Sequence, residues 1–524
     1  MEAAKYVSEL VEKARVAQAV IENYTQEQVD ALCKAMAKAI FDNAEPLARM
    51  AVDETGMGVY EDKVNKNKGK ARVIWSDMKG GKSVGIIRQL PELGLTEVAK
   101  PMGVVGAITP TTNPIVTPMC NAMFALKGRN AIIVGPHPRS KKCSTRACEL
   151  MQEAIVKLGA PADLLQCVAE PTIEISGEIM KQCDVCISTG GAGMVKAAYA
   201  SGKPAYGVGG GNVQCIIDDD VDLEKVVPMI VAGRKFDNGI ICSGEQTAIT
   251  PAAMYDDMVK TFQKNGAYYV EKPEEIDAVR NVIFPGGKMN KDAVGQSAQH
   301  IAKMAGLTVP ADTVVLLVKV EKAGAGEPFS KEKMCPCIAA YRYNTWEEAV
   351  AIANANLNVE GKGHSVCIHS YNDAHIDYAA ETLPVSRFLI NQICSTNNGG
   401  SFFIHDPPLL VLRVFLVPIR RDSGEVFAGA SFGLPRCPDF LAGVLGVHFI
   451  EYVADGGKLA VPAHTVHTVI DGNKVDAVLW KQHFRIHPDL QIVTPEPAHI
   501  LNDNALDLAR LDVGKHPLES GPVE

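Results

Sequence analysis

Four short apolar runs, GVVGAI (103–108), NAIIVG (130–135), LLQCVA (164–169) and DVCIST (184–189), are set apart by Gly- and Pro-marked turns. Stretches of helical period lie among them, at 115–127 and 143–158. Strands alternating with helices in this way call for a parallel sheet covered on both faces. A second alternating region extends roughly from Gly239 to Asn391. Ahead of both, Val7, Leu10, Val11, Ala14, Ala17 and Ile21 recur mostly three and four apart, which puts them on one helical face. Thr25 and Gln28 then have capping-box spacing before a second amphipathic run through Val29, Leu32, Met36 and Ile40.

A chain of 524 residues has room for about three domains. Its net charge of −9 offers no field to hold a nucleic-acid backbone, so no nucleic-acid partner is expected. The amino terminus, MEAAKYVSELVEKARVAQAV, carries charge in every turn, and no run resembles a signal peptide or a membrane span. A cytoplasmic protein without a membrane partner is the expectation. The 14 cysteines fit it, because 13 are scattered before residue 404 through segments that read as core, as reduced thiols are.

Near Phe403 the composition breaks. The last 121 residues hold 8 of the 13 histidines and 11 of the 30 prolines, but 4 lysines and one cysteine. The tail is either an appended domain of different origin or a reading frame that left its course.

Four motifs carry chemistry. In GRKFDNGIICSGEQ (233–246), Cys242 lies in a Gly- and Ser-rich turn that would expose a thiol beside free backbone N–H groups. The plain alternative is a core cysteine. In TPTTNP (109–114), directly after a predicted strand, the Asn113 amide could donate to an oxyanion, or could instead form an Asx-turn or cap the next helix. In STGGAGMV (188–195), Gly190, Gly191 and Gly193 would let backbone N–H groups approach a pyrophosphate, although a tight turn explains them equally. GPHPRSKK (135–142) clusters His137 and Arg139 at a strand end, suited to ribose hydroxyls or a phosphate, or to a solvated surface. CPC (335–337) lacks partners at ligand spacing, so no metal is expected.

In this order the motifs resemble the aldehyde dehydrogenase superfamily, and within it the CoA-acylating branch. The resemblance runs from about residue 5 to about 403. It includes VAKPMGVVGAITPTTNPIVTPMCNAMFALKGRNAIIVGPHPRSKK, STGGAGMVKAAYASGKPAYGVGGGN, GRKFDNGIICSGEQ, EKMCPC and EGKGHS. NPIVTPMCNAM and GVYEDKV look most like the succinate-semialdehyde or sulfoacetaldehyde type, which turns a small anionic aldehyde into its acyl-CoA.

The resemblance implies an α/β fold with a Rossmann-type NAD(P)-binding domain over 1–236 and an α/β catalytic domain over 237–403, leaving 404–524 as a non-family tail. It implies Cys242 as nucleophile and Asn113 as oxyanion donor. Thr109, Pro110, His137, Arg139, Thr189, Gly190, Gly191, Gly193 and Glu332 would bind NAD or NADP, with Glu332 on the nicotinamide ribose. Coenzyme A would be the co-substrate, and a small aldehyde or acyl-CoA the partner. His364 matches a histidine typical of the acylating branch. Hydrolysing members carry a glutamate before a Gly-Gly pair as base on water, and Val208 stands at the matching position here. A thioacyl-enzyme on Cys242 would then be resolved by the CoA thiol rather than by water. A hydrolysing dehydrogenase and an inactive scaffold are the competing readings. After NQICSTNNGGSFF the family course is lost, which favours a frameshift or chimera for the tail and puts the family's homo-oligomeric assembly in doubt.

Overall fold

The computed structural model describes residues 2–91, 95–397 and the strand Val447–Tyr452. Four helices come first: Glu2–Ile21, Gln26–Asp42, Ala44–Thr55 and Tyr60–Met78. The first buries Val7, Val11, Ala14, Ala17 and Ile21, the face expected from their spacing. The second starts on a reciprocal box: Gln28 N–H donates to Thr25 Oγ1, and Thr25 N–H donates to Gln28 Oε1 at 2.8 Å.

β1 (Gly85–Leu90) and β2 (Leu95–Lys100) form an antiparallel hairpin whose third strand, in chain order β15, is Val447–Tyr452. The remainder of the 404–524 tail lies outside the described residues.

β3 (Val104–Ile108), β4 (Ala131–Gly135), β5 (Leu165–Cys167), β6 (Val185–Thr189) and β7 (Ala205–Val208) make a parallel sheet in the order β5-β4-β3-β6-β7. All four predicted runs are strands, and the helices Val116–Lys127 and Lys141–Val156 fall where the period placed them. The chain winds outward from β3 in one direction and from β6 in the other. The crevice between those two strands is the topological switch point, where such sheets bind ligands.

The second sheet is β8 (Gln214–Ile217), β9 (Thr247–Pro251), β10 (Ala267–Val270), β11 (Val315–Lys319), β12 (Cys337–Tyr343), β13 (Ser365–His369) and β14 (Arg387–Ile390). Their order is β10-β11-β12-β9-β8-β13-β14, and every pairing is parallel. Alternate residues enter different cores: Ile216, Ile249, Leu316 and Ile368 join one, while Cys215, Ala248, Leu317 and Cys367 join the other. Near-continuous apolar runs are what a sheet buried on both faces requires. The change from one sheet to the other falls between Val208 and Gln214, ahead of 236/237, where the sequence reading divides the two parts. Among the described residues no helix is long and apolar enough to cross a membrane.

Candidate active site

Six of the nine expected cofactor residues lie at the switch point. Thr109 and Pro110 follow β3, while Thr189 closes β6 and leads into Gly190. The hydroxyls of Thr109, Thr111, Ser188 and Thr189 are buried there, and none has a hydrogen-bond partner among the described residues. Orphaned hydroxyls are costly unless a ligand or water completes them. Gly191 caps the helix Ala192–Tyr199 without a side-chain bond, leaving first-turn N–H groups for an anion. A Cβ on Gly191 or Gly193 would meet nothing within 4 Å, and neither has a positive φ. Neither crowding by protein nor backbone strain demands these glycines. Open space and unpaired donors at a switch point fit a dinucleotide.

His137 and Arg139 stand one strand further out, at the end of β4. Both are exposed, and His137 Nδ1 accepts the Arg139 N–H at 3.1 Å, capping the turn Pro138–Ser140. His137 has a structural duty beside any contact with the adenosine end.

Cys242 is one of only two described cysteines that are not buried; the other is Cys167. Its turn follows the helix Leu223–Lys235 through Asp237, Asn238 and Gly239, all at positive φ (51°, 49° and 73°). Asp, Asn and Gly are the residues that tolerate this left-handed run. The Cys242 N–H has no acceptor among the described residues. It is therefore available to an oxyanion. Burial first, and then the Glu332 carboxylate, push the thiol up to about 11, while Lys66 and Lys70 pull it down.

Two features missed in the sequence hold this turn. Gly211 lies against it: a Cβ there would sit 1.9 Å from the Cys242 carbonyl oxygen. Arg234, fully buried, donates from Nε and Nη2 to Cys335 O at 2.9 and 2.6 Å, and from Nη2 to Gly239 O at 2.9 Å. It ties the nucleophile turn to the strand-entry loop that carries Glu332. The available signals were the Gly209–Gly211 triplet and the arginine within GRKFDNG.

Glu332 is buried beside Gly210, whose Cβ would be 3.1 Å from Glu332 Oε2. Its backbone N–H donates to Glu360 Oε2 at 2.9 Å, and burial, reinforced by Glu360, raises the Glu332 carboxyl to about 8. The Glu332 carboxyl therefore holds its proton well above the ordinary carboxylate range. Val208 is buried at the end of β7, and its carbonyl accepts the Gly190 N–H at 3.0 Å. His364 precedes β13; burial lowers it to about 4, and its Nδ1 has no partner among the described residues.

Asn113 sits in the bend before the helix Val116–Lys127, which it does not cap; the cap is Ile115. Asn113 Oδ1 instead accepts from Lys66 Nζ at 2.9 Å. The capping alternative for Asn113 therefore fails.

Among the described residues, potential metal ligands gather at one place, which is not CPC. Cys215 and Cys367 face each other in register, with His369 Nε2 3.5 Å from Cys367 Sγ, all buried in the second sheet. Burial lowers His369 to about 4, so its ring is neutral and packs against the thiols as core.

A dinucleotide-type crevice beside a part-exposed thiol with a free amide is the arrangement of a thiol-dependent dehydrogenase. Comparison with known proteins gives the same answer. Residues 1–279 match the aldehyde dehydrogenase family. The succinate-semialdehyde dehydrogenase (acetylating) of Clostridium kluyveri is 53% identical over 396 residues, 76% of this chain and 87% of that protein. The crystal structure of an acetylating aldehyde dehydrogenase from Geobacillus thermoglucosidasius superposes with a TM-score of 0.72 at 39% identity, covering 75% of this chain and 87% of that one. A propionaldehyde dehydrogenase of Rhodopseudomonas palustris, solved with bound CoA and an acylated cysteine, gives 0.66 at 29% identity, covering 75% and 90%. The chain belongs to the aldehyde dehydrogenase family.

Proposed function

We propose that this protein is a CoA-acylating aldehyde dehydrogenase, converting a small anionic aldehyde, CoA and NAD(P)+ to acyl-CoA and NAD(P)H, and able to run in reverse. The observation that carries the reading is the part-buried Cys242, packed on Gly211, whose N–H has no acceptor among the described residues. In this reading the Cys242 thiolate attacks the aldehyde carbon, and its own N–H with the Asn113 amide holds the oxyanion. One such donor is typically worth about 3 kcal/mol in the transition state. NAD(P)+, when bound, supplies a hydride acceptor. Thr109, Pro110, Thr189 and the glycines at 190, 191 and 193 would hold its phosphates, and Glu332 its ribose. Attack by the CoA thiolate on the thioester carbonyl then expels the Cys242 thiolate. Relatives with CoA-acylating names and a CoA-bound neighbour support this choice. So does Val208, a buried apolar residue that the resemblance matches to the glutamate of hydrolysing members. The positive charges of Lys70 and Arg387, both felt at the thiol, favour an anionic aldehyde.

A hydrolysing enzyme is the second reading, because Glu332 and Glu360 stand beside Gly210, close to the thiol's turn. The deciding assay offers succinate semialdehyde, sulfoacetaldehyde and acetaldehyde with NAD+ or NADP+, with and without CoA. Mass spectrometry then identifies the product. Acyl-CoA formed only with CoA supports the proposal. Free acid at equal rates without CoA overturns it.

A further inference from the structure

Lys66 lies on the helix Tyr60–Met78 within EDKVNKNKGK, a stretch that reads as a solvated charge run. It is instead buried. Its Nζ lies 2.9 Å from Asn113 Oδ1 and 2.5 Å from Asp237 Oδ2, and 5.8 Å from the centre of the Phe236 ring. Lys63, one turn earlier, reaches the same Asp237 oxygen at 3.1 Å, and the Val59 N–H donates to Asp237 Oδ1 at 2.9 Å.

An ammonium has donors and no acceptor, so only the carbonyl end of the Asn113 amide can face it. The N–H2 end must then face the opposite way. No acceptor takes it among the described residues. Asp237 belongs to the left-handed run that delivers Cys242. A single ammonium therefore touches both the amide expected to stabilise the oxyanion and the turn that carries the nucleophile.

We infer that Lys66 is a positioning residue: it sets the orientation of the Asn113 amide and ties it to the Cys242 turn through Asp237. This rests on the thiol–oxyanion reading given above, but not on whether CoA or water resolves the adduct. Charge is a lesser part of its role, since Lys63 keeps Asp237 paired when Lys66 is changed.

The test is a double-mutant cycle in the full-length protein, comparing wild type, Lys66→Met, Asn113→Ala and the double variant, with Lys66→Arg as the conservative replacement. Aldehyde-dependent NAD(P)H formation gives kcat and the aldehyde KM, and nucleotide fluorescence reports whether each variant is folded. Lys66→Met should lower kcat about 30-fold with KM within about threefold, the signature of an interaction made in the transition state. In the Asn113→Ala background the same change should cost less than about threefold, because its target is gone. Lys66→Arg, which keeps the donor, should recover most of the rate even if Lys66→Met folds poorly. Losses that multiply in the double variant, or a Lys66→Met enzyme at wild-type kcat, overturn the proposal. A wild type that oxidises no aldehyde overturns the functional reading instead, and the inference with it.

Discussion

Gly211 and Cys242 meet backbone to backbone, with room for a hydrogen on Gly211 and none for a methyl: its carbon would stand 1.9 Å from the Cys242 carbonyl oxygen and 2.9 Å from Cys242 Cβ. The nucleophile's position is thus set by a residue without a side chain. Gly211→Ala must push the turn aside, and a displacement near 1 Å is enough to cost about a hundredfold in rate. Steady-state kinetics should show that loss in kcat. Gly191→Ala, placed in open space, should leave thermal stability unchanged and weaken nucleotide binding. Wild-type kcat in Gly211→Ala would mean that the turn has slack the geometry denies.

Cys242→Ala should abolish aldehyde oxidation while nucleotide affinity stays within about twofold, since the crevice between β3 and β6 does not use the thiol. Asn113→Ala should lower kcat by about a hundredfold, the usual worth of an oxyanion donor, with little change in KM. A change confined to KM would make Asn113 a binding residue.

The Cys242 thiol, raised to about 11 by burial and then by Glu332, should be alkylated by iodoacetamide at a rate still climbing above pH 9. Removing the negative neighbour favours the thiolate, so Glu332→Gln should move the profile to lower pH. An unmoved profile would place Glu332 too far away to matter.

Glu332 also has a signature in stability. Its carboxyl, raised to about 8 by burial and Glu360, binds a proton more tightly when folded than when unfolded. Its contribution is therefore complete below the ordinary carboxylate range and is lost as pH rises towards 8. The Tm of the wild type should fall relative to Glu332→Gln between pH 5 and 8, as calorimetry would show. The opposite trend would mean that the carboxyl is ionised throughout.

Arg234→Met should destabilise the protein by about 3 kcal/mol or more, because the carbonyls of Cys335 and Gly239 lose a buried donor. Denaturant unfolding measures this, and a loss below about 1 kcal/mol would show those carbonyls to be satisfied in another way.

The first sheet was legible because its strands are continuous apolar runs between glycines and prolines, and the Thr25–Gln28 box because capping is local. FDNG holds residue types that tolerate a left-handed run, a local signal that the sequence reading passed over. The sheet boundary was harder to see. β8 is a four-residue strand with no mark of its own, and its partners β9 and β13 come later in the chain. The roles of Lys66 and Arg234 were hidden for a different reason. A buried cation reads as a surface charge until its partners are known, and Asp237 is 171 residues from Lys66 while Cys335 is 101 from Arg234.

That same separation bears on when the site comes into being. Asp237 meets Lys63 and Lys66 across 174 and 171 residues, and Asn113 meets Lys66 across 47. Contacts of such sequence distance are closed late in folding, after helices and local strand pairs have formed. A ribosome-bound chain that has not yet emitted residue 237 lacks the counter-charge for either lysine. In a refolding experiment, recovery of far-UV ellipticity should therefore precede recovery of activity, with the delay set by docking of the 233–246 turn onto the first helices.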